Sequence, residues 1–504
     1  MNRKGLLAKN SLINLLGQGV PLVFIFAAYP FIVDGLGEDR TGTLQIIWMI
    51  IGYFGLLDMG LGRATTKFVA DMQARDEQNL SPFILTSILM LFVVGLLGCG
   101  LIYWLTPWLV YEVMNTPEML QAETQRAFYT LSFAIPLVLG SVGARGALEA
   151  QQRFGLVNII KIPAGILNYL APLLVLPFST DLQYVVVVLV TGRGLTFLIY
   201  SWFCLSGGES LFQLGSYPLI GWIKNLFSYG AWITVSNLIS PIMVYMDRFI
   251  VAAVIGTTAV LYYATPYDVV TRLLIIPGSF MGVMFPAFSV ASLEENSRPM
   301  DPLYRKSIRY LLLALVPAVV GLVLAAEPIF YYWLGGEFPA RSTLVMQLLA
   351  VGVLINAIAM VPYTALQGMG RPDVTAKLHM VELPLFLVMV WFFIHRWGIE
   401  GVALAWVIRV ALDAGGLLWF YRRLTPEREP DEVNWSARLA TSLGCAAVMG
   451  AGYFAISHRL LLMAFAAACA AGVFWLIWTY VLHDYERNKI FRLYIDVKQS
   501  LKRR

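Results

Sequence analysis

The stretch from residue 232 to residue 286 decides the fold; it reads WITVSNLISPIMVYMDRFIVAAVIG, then TTAVLYYATPYDVVTRLLIIP, then GSFMGVMFP. Two long apolar segments meet at Gly256 within this stretch. A charge near the middle of a bilayer-spanning helix costs about 2.5–3.5 kcal/mol on insertion scales, so such a residue usually faces a wet cavity or a partner. We therefore predict a polar site inside a membrane bundle, with four charges in these two segments: Asp247, Arg248, Asp268 and Arg272.

The composition extends this interpretation to the whole chain. Of the 504 residues, 59% are hydrophobic and 13% are charged, and the mean hydropathy is +0.70. A soluble protein would have about 25% charged residues. The apolar runs are unbroken and long enough for helices, whereas an outer-membrane barrel would show short alternating strands. The sequence predicts an all-α, polytopic membrane protein.

The hydropathy predicts about 14 membrane-spanning helices. Most of the 36 Lys and Arg residues lie in alternate loops, a pattern that indicates topology and gives no sign of a nucleic-acid partner. The bias places both termini in the cytoplasm. The predicted spans are 10–34, 42–62, 82–106, 126–147, 155–178, 183–205, 229–255, 259–289, 308–326, 342–366, 378–395, 399–421, 437–457 and 460–482.

The chain also contains an internal repeat. The segment ALEAQQRFGLV at 147–157 recurs as ALQGMGRPDVT at 365–375, and Gly37 after the first span corresponds to Gly256 after the seventh. Spans 1–6 and 7–12 therefore form two predicted copies of a six-helix unit, related by an axis along the membrane normal, as parallel repeats in transporters are. The predicted domains are a six-helix bundle at 1–206, a cytoplasmic linker at 207–228, a second bundle at 229–424, and a linker, two extra spans and a basic cytoplasmic tail at 425–504.

Three motifs in this frame resemble a known family. FGLLDMGLGRATTKFVA at 54–70, DRFIVAAVIGTTAVLYYA at 247–264 and FPAFS at 285–289 are similar, in order, to the polysaccharide-type lipid flippases of the multidrug/oligosaccharidyl-lipid/polysaccharide exporter superfamily. The resemblance implies a transporter that moves undecaprenyl-diphosphate-linked oligosaccharide from the inner to the outer leaflet of the bacterial cytoplasmic membrane. It also implies alternating access, with membrane lipids around the protein; whether a proton or sodium serves as a coupling ion is left open by the sequence.

Arginines within the spans suit a diphosphate, because a guanidinium stays ionised and offers a planar fork to phosphate oxygens. Each candidate also has a structural alternative: an ion pair within the bundle, as for Asp268 with Arg272 or Arg409 with Asp413, or an anchor at the membrane surface. Candidates for contact with the diphosphate or the cavity are Arg248, Arg272, Arg63, Arg193 and Arg409. Candidates for a coupling ion or a charge pair are Asp247, Asp268, Asp58, Asp34 and Asp413, with Glu382 as a further one.

Two other functions remain open. A multidrug efflux antiporter of the same superfamily would rely on acidic residues within the halves. A membrane glycosyltransferase or polymerase would need acids or bases at an outer surface, and the predicted outer loop 107–125 offers Glu112, Glu118 and Glu123. The sequence contains no metal-binding or phosphate-cradling motif, and its four cysteines show no paired spacing. We predict a transporter, not an enzyme, without a metal or cofactor.

Overall fold

The computed structural model describes residues 24–56, 61–75, 80–206, 221–223, 243–292, 300–425, 458–482 and 485–487. Within these ranges every regular element is a helix and no strand occurs. The prediction of an all-α protein is confirmed. The described residues belong to two compact units, Met1–Leu261 and Tyr262–Arg504. The domain boundaries predicted from the repeat stay a prediction.

The first unit contains ten described helices, the last of which continues across the boundary between the units. They are α1 (Phe24–Leu36), α2 (Glu38–Leu56), α3 (Leu61–Ala74), α4 (Leu80–Trp108), α5 (Glu118–Ser132), α6 (Ala134–Ala150), α7 (Phe154–Val175), α8 (Leu182–Leu205), α9 (243–254) and α10 (Thr257–Thr271).

The second unit continues from α10 through a short 3-10 turn, Arg272–Leu274, that begins directly after it. Its described helices are α11 (Ile275–Ala291), α12 (Met300–Trp333), α13 (Phe338–Gly368), α14 (Pro372–Leu424) and α15 (Arg459–Leu476).

Nine helical segments of the described chain are long and apolar enough to cross a membrane. The protein is therefore a multi-pass membrane protein, while the count of 14 spans and the cytoplasmic termini stay predictions. Span 13 at 437–457 lies outside the described residues. Most of the predicted outer loop at 107–125 is helical, because a π-turn extends α4 to Val113 and α5 begins at Glu118; its side of the membrane stays a prediction. Polar residues in α5 lowered the hydropathy there without ending the helix.

In the first unit, α6 is the central helix. It packs against α2, α3, α4 and α8. Small residues allow close approach: a Cβ at Gly95 on α4 would collide with the backbone of Pro136 on α6. Across the α3–α6 contact, the Thr66 hydroxyl donates to the Gly146 carbonyl at 3.1 Å.

In the second unit, α13 is the central helix. It packs against α11, α12 and α14, and α12 in turn packs against α15. A Cβ at Gly352 on α13 would collide with the indole of Trp406 on α14, so this contact also depends on a small residue. Helices α6 and α13 each end within one copy of the repeated sequence segment. The shared central position supports the predicted repeat.

The two repeated segments form the same turn, each within its own unit. After α6, the Arg153 amide donates to the Leu148 carbonyl at 2.9 Å; after α13, the Arg371 amide donates to the Leu366 carbonyl at 2.9 Å. This six-to-one bond, with a shorter bond inside it, defines a Schellman cap. The residue before each arginine has a positive φ: 58° at Gln152 and 72° at Gly370.

A left-handed backbone is strained for a residue with a Cβ. Substitutions at Gln152 and Gly370 should therefore change the stability in opposite directions. Gln152→Gly should raise the free energy of unfolding by about 0.5–1 kcal/mol, and Gly370→Ala should lower it by a similar amount. A Cβ at Gly370 meets no atom within 4 Å of the described chain, so the effect comes from the backbone alone. Unfolding in detergent measures both variants. Gln152→Ala is the matched control, and a Gln152→Gly variant no more stable than it would contradict the prediction.

Candidate functional site

The sharp turn within α14 builds a hairpin of two helices. Gly398 has a φ of 58°, and the chain reverses there. Contacts across the hairpin join His379 to Asp413 and Glu382 to Arg409. As the residue number rises along the first half, the number of its partner in the second half falls. The two halves therefore run antiparallel. Residues 379 and 382 share one face of the first half, and residues 409 and 413 share one face of the second, because both spacings are close to one helical turn.

These four residues form what we call the α14 cluster: His379, Glu382, Arg409 and Asp413. The His379 Nε2 lies 3.8 Å from Asp413 Oδ1, and the Arg409 Nη1 lies 3.9 Å from Glu382 Oε2. The two carboxylates are buried, with Glu382 4% and Asp413 8% exposed. The cluster thus joins charges of both signs at a point where two apolar helices pack together.

Hydrogen bonding within the cluster is incomplete. Among the described residues, no hydrogen-bond partner meets either carboxylate oxygen of Glu382, Oδ1 of Asp413 or Nε of Arg409. The Arg409 guanidinium instead lies 5.5 Å from the ring centre of Phe386 and 5.9 Å from that of Trp406. Aromatic faces attract cations at such distances. The cluster therefore contains buried acceptors with unused capacity for a proton or a cation.

Two of the candidate arginines, Arg193 and Arg248, lie on helices of the first unit and have described side chains. Arg193 on α8 is half-buried and donates to the Asn168 side chain on α7 at 3.2 Å. No carboxylate of the described chain forms an ion pair with Arg193. Arg248 on α9 is 5% exposed and lies over the Tyr245 ring at 5.8 Å. Its backbone amide donates to the carboxylate of Asp247, which is fully buried.

The carboxylate of Glu123 accepts hydrogen bonds from two other helices. Arg40 donates to it through Nε at 2.9 Å and through Nη2 at 3.0 Å, and the backbone amide of Leu182 donates at 2.8 Å. Glu123 is 7% exposed, so these bonds satisfy a buried charge and join α2, α5 and α8. The arrangement positions helices and leaves little capacity for acid or base chemistry at Glu123.

The remaining candidate residues do not join one site. Arg272 opens the 3-10 turn, is exposed, and forms no ion pair with a described carboxylate. Asp268 is half-buried on α10, and Asp34 is exposed on α1. Asp58 lies outside the described residues, as does the side chain of Arg63. Of the candidates, the structure therefore places Arg409 and Asp413 together in the α14 cluster. Asp247 and Arg248 are adjacent to each other on α9.

His379 is the residue of the α14 cluster that the sequence analysis missed. The sequence does show that His379 lies three residues before Glu382, and this spacing places the two side chains on one face of a helix. The ring also packs on Tyr363, with 6.1 Å between ring centres and 14° between planes. Its partner Asp413 lies on the other half of the hairpin, and sequence spacing does not show that contact.

Comparison with known proteins identifies the family. The model of the family described as "Polysaccharide biosynthesis protein" matches residues 41–343. The chain is also 30% identical over 422 residues to a putative O-antigen transporter of Shigella flexneri, an alignment that covers 82% of this chain and 98% of that protein. The chain belongs to the polysaccharide biosynthesis protein family. The resemblance that the sequence motifs indicated is confirmed.

Two solved structures have a similar fold. A structure of the lipid II flippase MurJ in an inward closed conformation matches with a TM-score of 0.71 and 13% identity, covering 93% of this chain and 98% of that chain. An inward-facing multidrug resistance MATE transporter of the MOP superfamily matches with a TM-score of 0.71 and 15% identity, covering 82% and 98%. These likenesses concern the fold alone, which serves both flippases and drug transporters.

The α14 cluster generates a stability prediction. Arg409→Met should lower the free energy of unfolding by about 3 kcal/mol, because two buried carboxylates would lose their nearest guanidinium. Adding Glu382→Gln should recover much of this loss, since it removes one of the uncompensated charges. Unfolding in detergent, analysed as a double-mutant cycle, measures the coupling.

The matched control is Arg341→Met, which removes a solvent-exposed arginine that pairs with Glu337. We expect a change below about 0.5 kcal/mol there, because exposed ion pairs contribute little. If Arg409→Met were as mild as this control, the cluster would not be an electrostatic unit.

Proposed function

We propose that the protein is a flippase that moves undecaprenyl-diphosphate-linked oligosaccharide from the inner to the outer leaflet by alternating access. The observation that carries the proposal is the 30% identity with an O-antigen transporter along nearly all of that protein. An oligosaccharide of this kind is attached to a lipid, which can remain in the bilayer while the sugar and the diphosphate cross. The transporter must therefore provide a polar route beside a lipid-facing surface.

The embedded arginines support this cargo. A lipid-linked diphosphate carries negative charge through a medium in which isolated charges are unstable, and arginine offers it a fixed fork of donors. Arg193 has an amide partner and no carboxylate partner among the described residues, so its charge is available to an anion. Arg248 lies within a helix over an aromatic ring. We propose Arg193 and Arg248 as diphosphate contacts, with Arg272, Arg63 and Arg409 as further candidates.

The alternative functions have less support. A drug transporter and a flippase match the fold with the same TM-score of 0.71, so this score does not separate the two functions. The family match and the relative from Shigella flexneri favour the polysaccharide cargo, and neither is an enzyme of polymer assembly by name. Glu123, one of the outer acids considered for an enzyme, is occupied by Arg40 and a backbone amide.

The same proposal includes location and energy source. We propose the bacterial inner membrane, because the relative that covers most of the chain is bacterial. A proton or a sodium ion is the proposed coupling ion, and the acidic candidates for it are Asp413, Asp247, Asp268, Asp58 and Asp34. The 14 spans, the cytoplasmic termini and the two six-helix repeats belong to this proposal as well, supported by the matching turns at Gln152 and Gly370.

A leaflet assay tests the proposal. Purified protein is placed in liposomes that contain a fluorescent undecaprenyl-diphosphate oligosaccharide, and an impermeant quencher reports the outer leaflet under an imposed ion gradient. We expect protein-dependent movement of the lipid and no transport of a cationic dye. Export of the dye without movement of the lipid would support the efflux antiporter and contradict the flippase.

The same assay tests the arginines. Arg193→Ala and Arg248→Ala should each slow lipid movement by about 10-fold or more, because a charge-assisted hydrogen bond contributes about 1.5–3 kcal/mol. Arg126→Ala is the matched control, since Arg126 lies on the surface and pairs with Asp181. Variants that fold well but flip as fast as this control would exclude Arg193 and Arg248 as diphosphate contacts.

A further inference from the structure

The α14 cluster contains a donor set that can hold a metal ion. One ligand atom from each of His379, Glu382 and Asp413 lies within 4.8 Å of the other two. An imidazole nitrogen and two carboxylate oxygens are ligands that zinc and the divalent first-row transition metals accept. The three residues come from the two halves of the α14 hairpin, which explains why no linear metal-binding motif appears in the sequence.

The burial and hydrogen bonding of the Glu382 side chain are a second observation. Its side chain is 4% exposed and lies beside the carboxylate of Asp413, and no N–H or O–H donor in the described chain meets either of its oxygens. A buried carboxylate that is left unsatisfied is unstable unless a proton, a cation or a donor meets it. Because these oxygens lie among the other ligand atoms, a cation between the three residues would satisfy Glu382 and Oδ1 of Asp413 together.

The charges in the cluster are compatible with a divalent ion. Two carboxylates balance two positive charges, so the metal and its ligands would be neutral as a group. Arg409 would keep other partners, since its guanidinium lies over the rings of Phe386 and Trp406. Cation–π contacts of this kind stabilise a guanidinium without a carboxylate. The arrangement therefore accommodates the metal without leaving Arg409 alone in an apolar region.

We propose that His379, Glu382 and Asp413 bind one divalent transition-metal or zinc ion and thereby fasten the two halves of the α14 hairpin. The imidazole favours these ions over sodium and magnesium, which prefer oxygen ligands. Bonds from zinc to nitrogen or oxygen are about 2.0–2.2 Å long. Small side-chain rotations would therefore bring the three donor atoms closer together when the ion binds. This site contains neither Arg193 nor Arg248, the two proposed diphosphate contacts, but it includes Asp413, which is also a candidate for the coupling ion.

Metal binding to the purified full-length protein tests the site. The affinity tag is removed, the protein is treated with chelator, and Co²⁺ is titrated as a spectroscopic probe, with Zn²⁺ added in competition. We expect one Co²⁺ per chain, with a visible d–d absorption band that Zn²⁺ abolishes. His379→Gln and Asp413→Asn should each weaken binding by about 10-fold or more. The matched control His395→Gln, an exposed histidine on the same hairpin, should leave binding unchanged.

A second measurement identifies the ligands of the bound metal. Pulsed electron paramagnetic resonance of bound Cu²⁺ in the wild-type protein reports directly whether an imidazole nitrogen coordinates the metal. One coordinated imidazole in the wild type, lost in His379→Gln, supports the site. The proposal is overturned by the absence of saturable Co²⁺ binding, by binding as tight in His379→Gln as in His395→Gln, or by equal occupancy with Na⁺ or Mg²⁺.

Discussion

The hydrocarbon core of a membrane offers no water to a backbone group or a charged side chain, and the described helices satisfy this constraint internally. Hydroxyl side chains bond to the carbonyl one turn before them: Thr86 donates to Pro82 at 2.8 Å, and Ser141 donates to Leu137 at 2.7 Å. Glu123 receives three donors from two other helices. Glu382 departs from this rule, and its position beside His379 and Asp413 is the basis of the proposed metal site.

Part of this architecture could be predicted from the sequence. Long apolar runs fixed the helical class, and the repeated segments at 147–157 and 365–375 located two turns that form the same hydrogen bonds. The break between the two halves of α14 was also predicted, because the apolar runs at 378–395 and 399–421 are two separate predicted spans. The helical extension through residue 113 was not predicted, because hydropathy reports burial in lipid rather than the end of a helix.

Contacts between helices are what the sequence could not provide. The spacing of Arg409 and Asp413 suggested that these two residues pair, whereas the shortest ion contact of Arg409 is with Glu382, across the hairpin. That contact depends on the register of the two halves, which the turn at Gly398 sets. Arg193 was a candidate because it lies within a predicted span. Its amide partner Asn168, on the neighbouring helix, is known only from the structure. Charges within a span can therefore be found from the sequence, whereas their partners require the packing.

The central claim is that arginines within the helices recognise the diphosphate of a lipid-linked oligosaccharide. The most direct measurement compares two cargoes in wild-type proteoliposomes: the same fluorescent oligosaccharide on undecaprenyl diphosphate and on a neutral undecaprenyl ether. We predict movement at least about 10-fold faster for the diphosphate, as expected when one or two charge-assisted contacts distinguish the cargoes. Equal rates for the two lipids would contradict the claim.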